Sequence, residues 1–292
     1  MILLDAGPSA RGYHRLEAYL RCPRLYAWGY GQGGSNPERA SAFPPAFPLV
    51  RGSIGHVGLA HAYARLKWVG EGNDLASSPH YPPLEAMRLV ADRFGDLGQE
   101  ALPGIVAVVQ RYAAHYGAEP FKIVSVEDAV ETSFEGYRYT ARLDLVIEDR
   151  AGKVWIMDHK FVGRIDSKVH RRYVLSGQFL GFQWIGFKLY GERFGGVRLN
   201  LIGCNASQFQ RLTPEPAPWM LERYPAIVRH AEEGIARVEE MIRKGETVPA
   251  SPSEHTCMGS YGECPAFELC RWGEEIPLPP SAIEEEKDVS GA

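Results

Sequence analysis

The stretch ARLDLVIEDRAGKVWIMDHK, residues 141–160, contains two runs of strand-forming residues separated by a short polar break. Apolar and polar side chains alternate through residues 141–147, which places the aliphatic side chains on one face of a strand and Asp144 on the other. The second run, residues 154–160, ends in Asp158, His159 and Lys160. Together the runs predict a β-hairpin that carries two acidic residues and a lysine.

The break between the runs fits a three-residue loop, Arg150-Ala151-Gly152, whose last position needs a left-handed conformation that glycine adopts readily. In that register Asp149 pairs with Lys153, and counting back along both strands sets Asp144 opposite Asp158. Opposed residues have Cβ atoms only ~5 Å apart. Two carboxylates that close repel each other, so the hairpin favours a divalent cation between them. The alternative is that the acidic residues at the end of a sheet simply face water.

The composition of the 292-residue chain is that of an ordinary globular protein, large enough for one domain with insertions. No apolar run is long enough to span a membrane, and the N-terminus lacks the pattern of a signal peptide, so we expect a cytoplasmic protein. The net charge of −4 gives no global support for nucleic-acid binding. Any nucleic-acid site must therefore be a local basic patch.

Residues 160–172 form such a patch. They contain a single acid, Asp166, against five basic residues: Lys160, Arg164, Lys168, Arg171 and Arg172. The segment predicts contact with a phosphate backbone, next to the acidic hairpin. The alternative is a solvated charged face.

Periodicity of the remaining chain predicts helices interrupted by few strands. The predicted helices cover residues 13–30 with a break at Pro23, a segment from Arg51, and residues 81–98, 101–117, 173–190 and 218–245. The predicted strands outside the hairpin are residues 121–134 and 197–204. We expect an α/β fold with a mixed central sheet and helical flanks, forming one domain over residues 1–276. A helical insertion at about 69–118, a C-terminal cysteine segment at about 250–272 and a disordered tail at 277–292 complete the predicted organisation.

Three of the five cysteines, Cys257, Cys264 and Cys270, lie close together near the C-terminus. Thiolates grouped in a reducing compartment are more often metal ligands than spare thiols. Cys22, at the helix break before Pro23, supplies a fourth ligand, and four-cysteine sites hold either iron-sulfur clusters or zinc. The wide spacing favours the cluster, with zinc as the alternative. Cys204 ends an apolar strand and is predicted to serve packing.

Six features occur in one order along the chain: Cys22-Pro23, an Arg51-Gly52-x-x-x-His56 helix, Leu143-Asp144, Asp158-x-Lys160, a helical Gln178 and the three C-terminal cysteines. In this order they resemble the iron-sulfur members of the PD-(D/E)XK nuclease superfamily. These members include the RecB and AddB type nuclease domains, the CRISPR-associated adaptation exonucleases and their phage relatives. The resemblance implies a restriction-endonuclease-like fold, in which a metal cluster joins the N-terminal helix to the C-terminal cysteine segment.

The resemblance also implies a role for each matched residue. Mg or Mn would be bound by His56, Asp144, Asp158 and the main-chain carbonyl of His159. Lys160 would position and polarise the attacking water, and Gln178 would orient the lysine or the DNA backbone. A 4Fe-4S cluster would be held by Cys22, Cys257, Cys264 and Cys270.

The expected function is that of a metal-dependent DNA exonuclease that acts on single strands or DNA ends in recombination, repair or phage replication. The alternative is a non-catalytic iron-sulfur subunit that holds DNA for another protein. A zinc-bearing interaction module without DNA is a third possibility, but it leaves the acidic hairpin unexplained.

Overall fold

The computed structural model describes residues 1–4, 9–30, 46–205, 208–259 and 262–273. The predicted disordered tail at 277–292 lies outside the described residues. The chain divides into two compact units. One contains the described residues among 1–7, 45–130 and 141–222, and the other contains those among 8–44, 131–140 and 223–292.

The elements follow the order expected from the sequence. The helices are α1 (Tyr13–Arg21), α2 (Pro23–Gly29), α3 (Phe47–Gly70), α4 (Pro83–Arg93), α5 (Gly95–Tyr116), α6 (Ser167–Val174), α7 (Gly177–Tyr190), α8 (Pro218–Arg243), α9 (Glu254–Cys257) and α10 (Phe267–Arg271). The strands are β1 (Lys122–Phe134), β2 (Tyr137–Glu148), β3 (Val154–Val162), β4 (Phe194–Gly203), β5 (Gln208–Leu212), β6 (Met258–Gly259) and β7 (Gly262–Glu263). In the described ranges, no helix is long and apolar enough to cross a membrane.

The first five strands form one mixed sheet in the order β1-β2-β3-β4-β5. Strand β3 pairs antiparallel with β2 and parallel with β4, and β5 adds an antiparallel edge to β4. Strands β1 and β2 are joined by a two-residue turn, Glu135-Gly136, with φ values of 47° and 89° that fit a tight hairpin. The prediction of an α/β fold with a mixed sheet flanked by helices is confirmed.

The hairpin that decides the fold has the predicted register. Leu145 pairs with Met157, and the Asp149 amide donates to the Lys153 carbonyl at 2.9 Å across the loop. Gly152 takes the left-handed conformation, with φ at +77°. Continued by one residue, this register sets Asp144 opposite Asp158.

Helices α3, α4 and α5 share one apolar core with the sheet, which includes Leu145, Ile147 and Met157. Helix α3 comes unusually close to β3, because a Cβ at Gly55 would lie only 2.4 Å from the Phe161 ring. Glycine at position 55 therefore permits this approach. His56, the next residue, is consequently carried to the end of the hairpin.

Several boundaries differ from the predictions. The break between the two helices of the predicted insertion falls at Phe94, because Gly95 has a φ of +55°, and α5 continues through Pro103. Helix α7 begins at Gly177 rather than at Tyr173, since residues 167–174 form the separate helix α6. Strand β5 was not predicted. Its five residues, QFQRL, carry too little apolar periodicity to stand out from a loop.

The second unit is built around α8. The Arg15 guanidinium lies 2.6 Å from the Glu232 carboxylate, with both side chains buried, and the Tyr26 hydroxyl donates to Glu239 at 2.6 Å. Gly234 allows the Tyr19 ring to pack directly on α8, where an added Cβ would meet its hydroxyl at 1.9 Å. These contacts fasten α1 and α2 to α8.

Candidate active site

The end of the β2–β3 hairpin gathers side chains from four elements of the first unit. Strand β2 supplies Asp144, and β3 supplies Asp158 and Lys160. Helix α3 adds His56, and the first turn of α7 adds Gln178. The residues that the sequence predicts for the hydrolytic site are thus brought together.

Asp144 and His56 form one half of the site. The His56 Nδ1 lies 3.3 Å from the Asp144 Oδ2, and the same oxygen accepts the His159 amide at 2.8 Å. Burial disfavours both charged forms, but the opposite charges outweigh it. The pKa of His56 is therefore raised by Asp144, and the pKa of Asp144 is lowered by His56.

Asp158 and Lys160 form the other half. The Lys160 Nζ lies 2.7 Å from the Asp158 Oδ2, and the Gln178 amide donates to Oδ1 at 3.4 Å. Burial is the main cause that raises the pKa of Asp158, whose side chain is 2% exposed. Burial works against the Lys160 ammonium, but the Asp158 carboxylate outweighs it and raises the pKa of Lys160.

The pairing changes one part of the sequence interpretation. The sequence led us to expect a divalent cation between the two opposed carboxylates. In the structure each carboxylate also has a side-chain partner: Asp144 has His56, and Asp158 has the Lys160 ammonium. The carboxylates are thus held by charges of the protein itself as well as by their register.

His159 lies in the core beneath these pairs. Its ring stacks on Tyr63 with centroids 5.6 Å apart and planes at 5°, and its Nδ1 lies 2.7 Å from the Asn200 amide nitrogen. Burial lowers the pKa of His159 to about 3, so the imidazole is neutral near pH 7. The side chain therefore acts in packing and hydrogen bonding, while the backbone of His159 faces Asp144.

The hydrogen bonds continue from Asn200 away from the hairpin. Asn200 donates to the Tyr112 hydroxyl at 2.8 Å, and this hydroxyl lies 2.7 Å from that of Tyr63. Arg211 donates to Tyr112 at 2.9 Å and to both Glu119 oxygens at 2.6 and 2.8 Å. We call these residues, with His159, the buried polar network. The sequence does not predict the other members of the network, because they come from separate elements with no shared local pattern.

Glu127 on β1 is a further residue that the sequence did not single out. Its carboxylate, the His56 imidazole and the Asp144 carboxylate offer ligand atoms that all lie within 4.8 Å of one another. Two of these three donors are carboxylate oxygens, the ligand type that suits Mg or Mn. The one available signal was an acidic residue among the valines of a predicted strand.

The predicted basic patch becomes helix α6. Asp166 caps its start by accepting the amides of Lys168 and Val169, both at 2.9 Å. Lys168, Arg171 and Arg172 are exposed on this helix. Helix α6 leads directly into α7, which carries Gln178.

The cysteines predicted as cluster ligands all belong to the second unit. Cys22 is buried at the junction of α1 and α2, and its Sγ accepts the Ser251 amide at 3.3 Å. The Cys264 amide donates to the Cys257 carbonyl at 2.7 Å. Burial raises the pKa of Cys270, and the nearby Cys22 and Cys264 thiols act in the same direction. Within the described residues, however, the cysteine sulfurs do not form a group as tight as that of His56, Glu127 and Asp144.

Comparison with known proteins gives a family. A family model of the PD-(D/E)XK nuclease superfamily matches residues 13–271. None of the curated proteins matches the chain. Among solved structures, that of SSO0001 shares 18% sequence identity with this chain. The aligned region covers 62% of this chain and 74% of the SSO0001 chain, with a TM-score of 0.31. Because the family model extends over most of the chain, this protein belongs to the PD-(D/E)XK nuclease superfamily.

Proposed function

We propose that this protein is a metal-dependent DNA exonuclease that hydrolyses single strands or DNA ends in recombination, repair or phage replication. The observation that carries the proposal is the pairing of Asp158 with Lys160 at 2.7 Å, next to Asp144 and His56. A buried carboxylate and a charged lysine two residues apart on one strand offer a metal ligand and a fixed positive charge at the same site, and both can assist hydrolysis of a phosphodiester. Membership of a nuclease superfamily supports the same reading.

The metal ligands in this proposal are His56, Asp144, Asp158 and the main-chain carbonyl of His159. The donor atoms fit a hard divalent cation such as Mg or Mn, because all of them except the His56 nitrogen are carboxylate or carbonyl oxygens. When bound, the ion would supply an acidified water and neutralise charge on the phosphate. The hydrogen bond from the His159 amide to Asp144 fixes that carboxylate toward the site.

Lys160 positions and polarises the attacking water. The raised pKa keeps the Lys160 side chain as an ammonium, so it acts as a hydrogen-bond donor and a positive charge rather than as a base. Gln178 donates to Asp158 and so holds the oxygen that Lys160 does not contact. The exposed Lys168, Arg171 and Arg172 would bind the phosphate backbone of the DNA that enters beside α7.

A 4Fe-4S cluster held by Cys22, Cys257, Cys264 and Cys270 is the second cofactor of the proposal, and it would put the chain in the RecB and AddB type branch. The influence of Cys22 and Cys264 on the Cys270 pKa supports the grouping of three of the thiols. Their looser arrangement favours a cluster over a single zinc ion, because a cluster is larger. The non-catalytic alternative is not favoured, since Asp144, Asp158 and Lys160 are all present and paired.

The test is a nuclease assay with the full chain, purified without oxygen. Linear and circular single-stranded DNA, labelled at either end, are incubated with Mn or Mg, with chelator as the control. We expect linear DNA to be degraded from an end and circular DNA to persist. Asp158→Asn should abolish cutting while DNA binding without divalent ions is kept. Absence of cutting with either ion, or equal cutting by the variant, would refute the proposal.

A further inference from the structure

We propose that Glu127 is an additional ligand of the divalent cation, supplied by β1 rather than by the hairpin. The assignment rests on the proposed function, since it concerns the same ion. It adds a carboxylate that neither the sequence motifs nor the pairing of the hairpin includes. The cation would then be held by residues of α3, β1, β2 and β3 together.

The position of Glu127 supports this role. Its carboxylate oxygen lies within 4.8 Å of ligand atoms of both His56 and Asp144. All three side chains are partly buried, so water screens their charges incompletely. Two carboxylates and an imidazole at that separation match the ligand type and spacing of a hard divalent cation.

The backbone conformation of Glu127 also supports a role as a ligand. Its φ is +49°, in the left-handed region that residues with a Cβ disfavour, and it lies inside a strand. The other non-glycine residue with positive φ among those the structure describes is Glu135, at +47°, and the β1–β2 turn accounts for it. No turn accounts for Glu127. A strained backbone at a site is retained where it aims a side chain that function needs.

In the first experiment, Mn is titrated into the full chain without other divalent ions. Binding is measured by calorimetry and by the electron paramagnetic resonance signal of free Mn. Glu127→Gln keeps the shape of the side chain and removes its charge. We expect Mn affinity to fall at least about tenfold, since even partners of metal ligands contribute that much. Asp128→Asn is the matched control: it removes the same charge from the next residue, whose carboxylate accepts from Ser125 at 2.9 Å. Its Mn affinity should stay within about threefold of wild type.

A second variant separates metal binding from a structural role. Glu127→Gly removes both the carboxylate and the Cβ that makes the left-handed backbone costly. The melting temperature of the metal-free protein should hold or rise, while the increase in melting temperature on adding Mn should shrink. Glu135→Gly, the control, relieves the same backbone conformation and should leave the Mn response unchanged.

The outcomes are distinct. Mn affinity of Glu127→Gln equal to that of wild type would overturn the assignment and leave the proposed nuclease function standing. A drop in melting temperature of Glu127→Gly with an intact Mn response would also overturn it, because Glu127 would then serve the fold. Wild-type protein that binds no Mn and cuts no DNA would overturn the assignment together with the proposed function.

Discussion

The β2–β3 hairpin region and the cysteine segment, at about residues 250–272, differ in the protein contacts that hold their structure. Around the hairpin, long strands carry paired charges, and His159 joins the buried polar network. In the cysteine segment, α9 has four residues, α10 has five, and β6 and β7 have two each. Neither α9 nor α10 contains a buried residue. Among the described residues, the hairpin region is held by buried polar contacts, whereas the helices and strands of the cysteine segment are short.

The difference predicts how each region responds to loss of a functional side chain. A site held by its surroundings should lose chemistry and keep its structure when one catalytic group is removed. The cluster proposed for the cysteine segment would stabilise it, because a preformed site rarely exists in the unfolded chain and binding adds to folding free energy. Variants at the two regions should therefore separate activity from stability.

The largest expected effect is at Lys160. Lys160→Met keeps the length of the side chain and removes the ammonium 2.7 Å from Asp158. We expect the rate of DNA cleavage to fall on the order of 10³-fold, because the preorganised charge that positions and polarises the attacking water is lost. Mn affinity should change little, since the lysine is not a ligand. Cleavage is measured under single-turnover conditions, and Mn binding by calorimetry.

Lys153→Met is the control for Lys160→Met. Lys153 directly precedes β3, the strand that carries Lys160. Its ammonium donates to the Glu192 carbonyl at 2.8 Å on an exposed surface. Its cleavage rate should match that of wild type. If Lys160→Met cut DNA at the wild-type rate, the role of the lysine on water would be excluded.

The next effect is expected at Cys22. Cys22→Ser should lower iron and sulfide content and reduce the free energy of unfolding by roughly 3–4 kcal/mol, because losing a bound metal group is among the costly changes. Limited proteolysis should cut between residues 250 and 272 first. Cys204→Ser, at a half-buried cysteine in the other unit, should leave iron content unchanged. Stoichiometric zinc without iron in the wild type would refute the cluster.

Some features of the hairpin site could be predicted from the sequence, and others could not. The register that opposes Asp144 and Asp158 was predictable because a strand has a period of two and Gly152 fixes the turn. His56 and Lys160, the partners of the two carboxylates, were named as site residues, yet their pairing was not predicted. Such pairing depends on which carboxylate a side chain reaches in three dimensions.

Other parts of the site had no local signature. Asn200, Arg211 and Glu119 lie on β4, β5 and the segment after α5, and they meet only through tertiary packing. Phe161 follows Lys160 and packs on Gly55 and the His56 ring, with ring centroids 5.5 Å apart. A sequence pattern names the catalytic residues, whereas these supports depend on the close approach of separate elements.

A smaller effect is expected in the buried polar network. A variant there tests how much the network stabilises the hairpin region. Glu119→Gln removes the charge that Arg211 contacts at 2.6 and 2.8 Å. We expect the free energy of unfolding to fall by about 2 kcal/mol, because a largely buried guanidinium loses its counter-charge. Urea unfolding measures the loss. Glu71→Gln, which breaks an exposed pair with Lys67, should cost under about 0.5 kcal/mol, and equal losses in both variants would contradict the role of the network.

The smallest effect on free energy is expected on α6, where the exposed Arg171 and Arg172 are the proposed contacts to DNA. Replacing both by Gln should weaken binding of single-stranded DNA several-fold, since each arginine releases counterions on meeting a phosphate. The slope of log affinity against log salt should fall by about 1.4, or 0.7 for each contact. Melting temperature should not change, because neither side chain is buried.

The control variant for the salt dependence removes two positive charges from a different part of the protein. Arg243 and Lys244 pair with Glu240 at the exposed end of α8, in the second unit, and replacing both by Gln should leave the salt dependence as in wild type. Binding is measured by fluorescence anisotropy without divalent ions, so that cleavage does not interfere. A specific loss in the α6 variant assigns DNA contact to the helix beside the hairpin. An equal loss in both variants would mean that general charge attracts the DNA and that α6 is a solvated face.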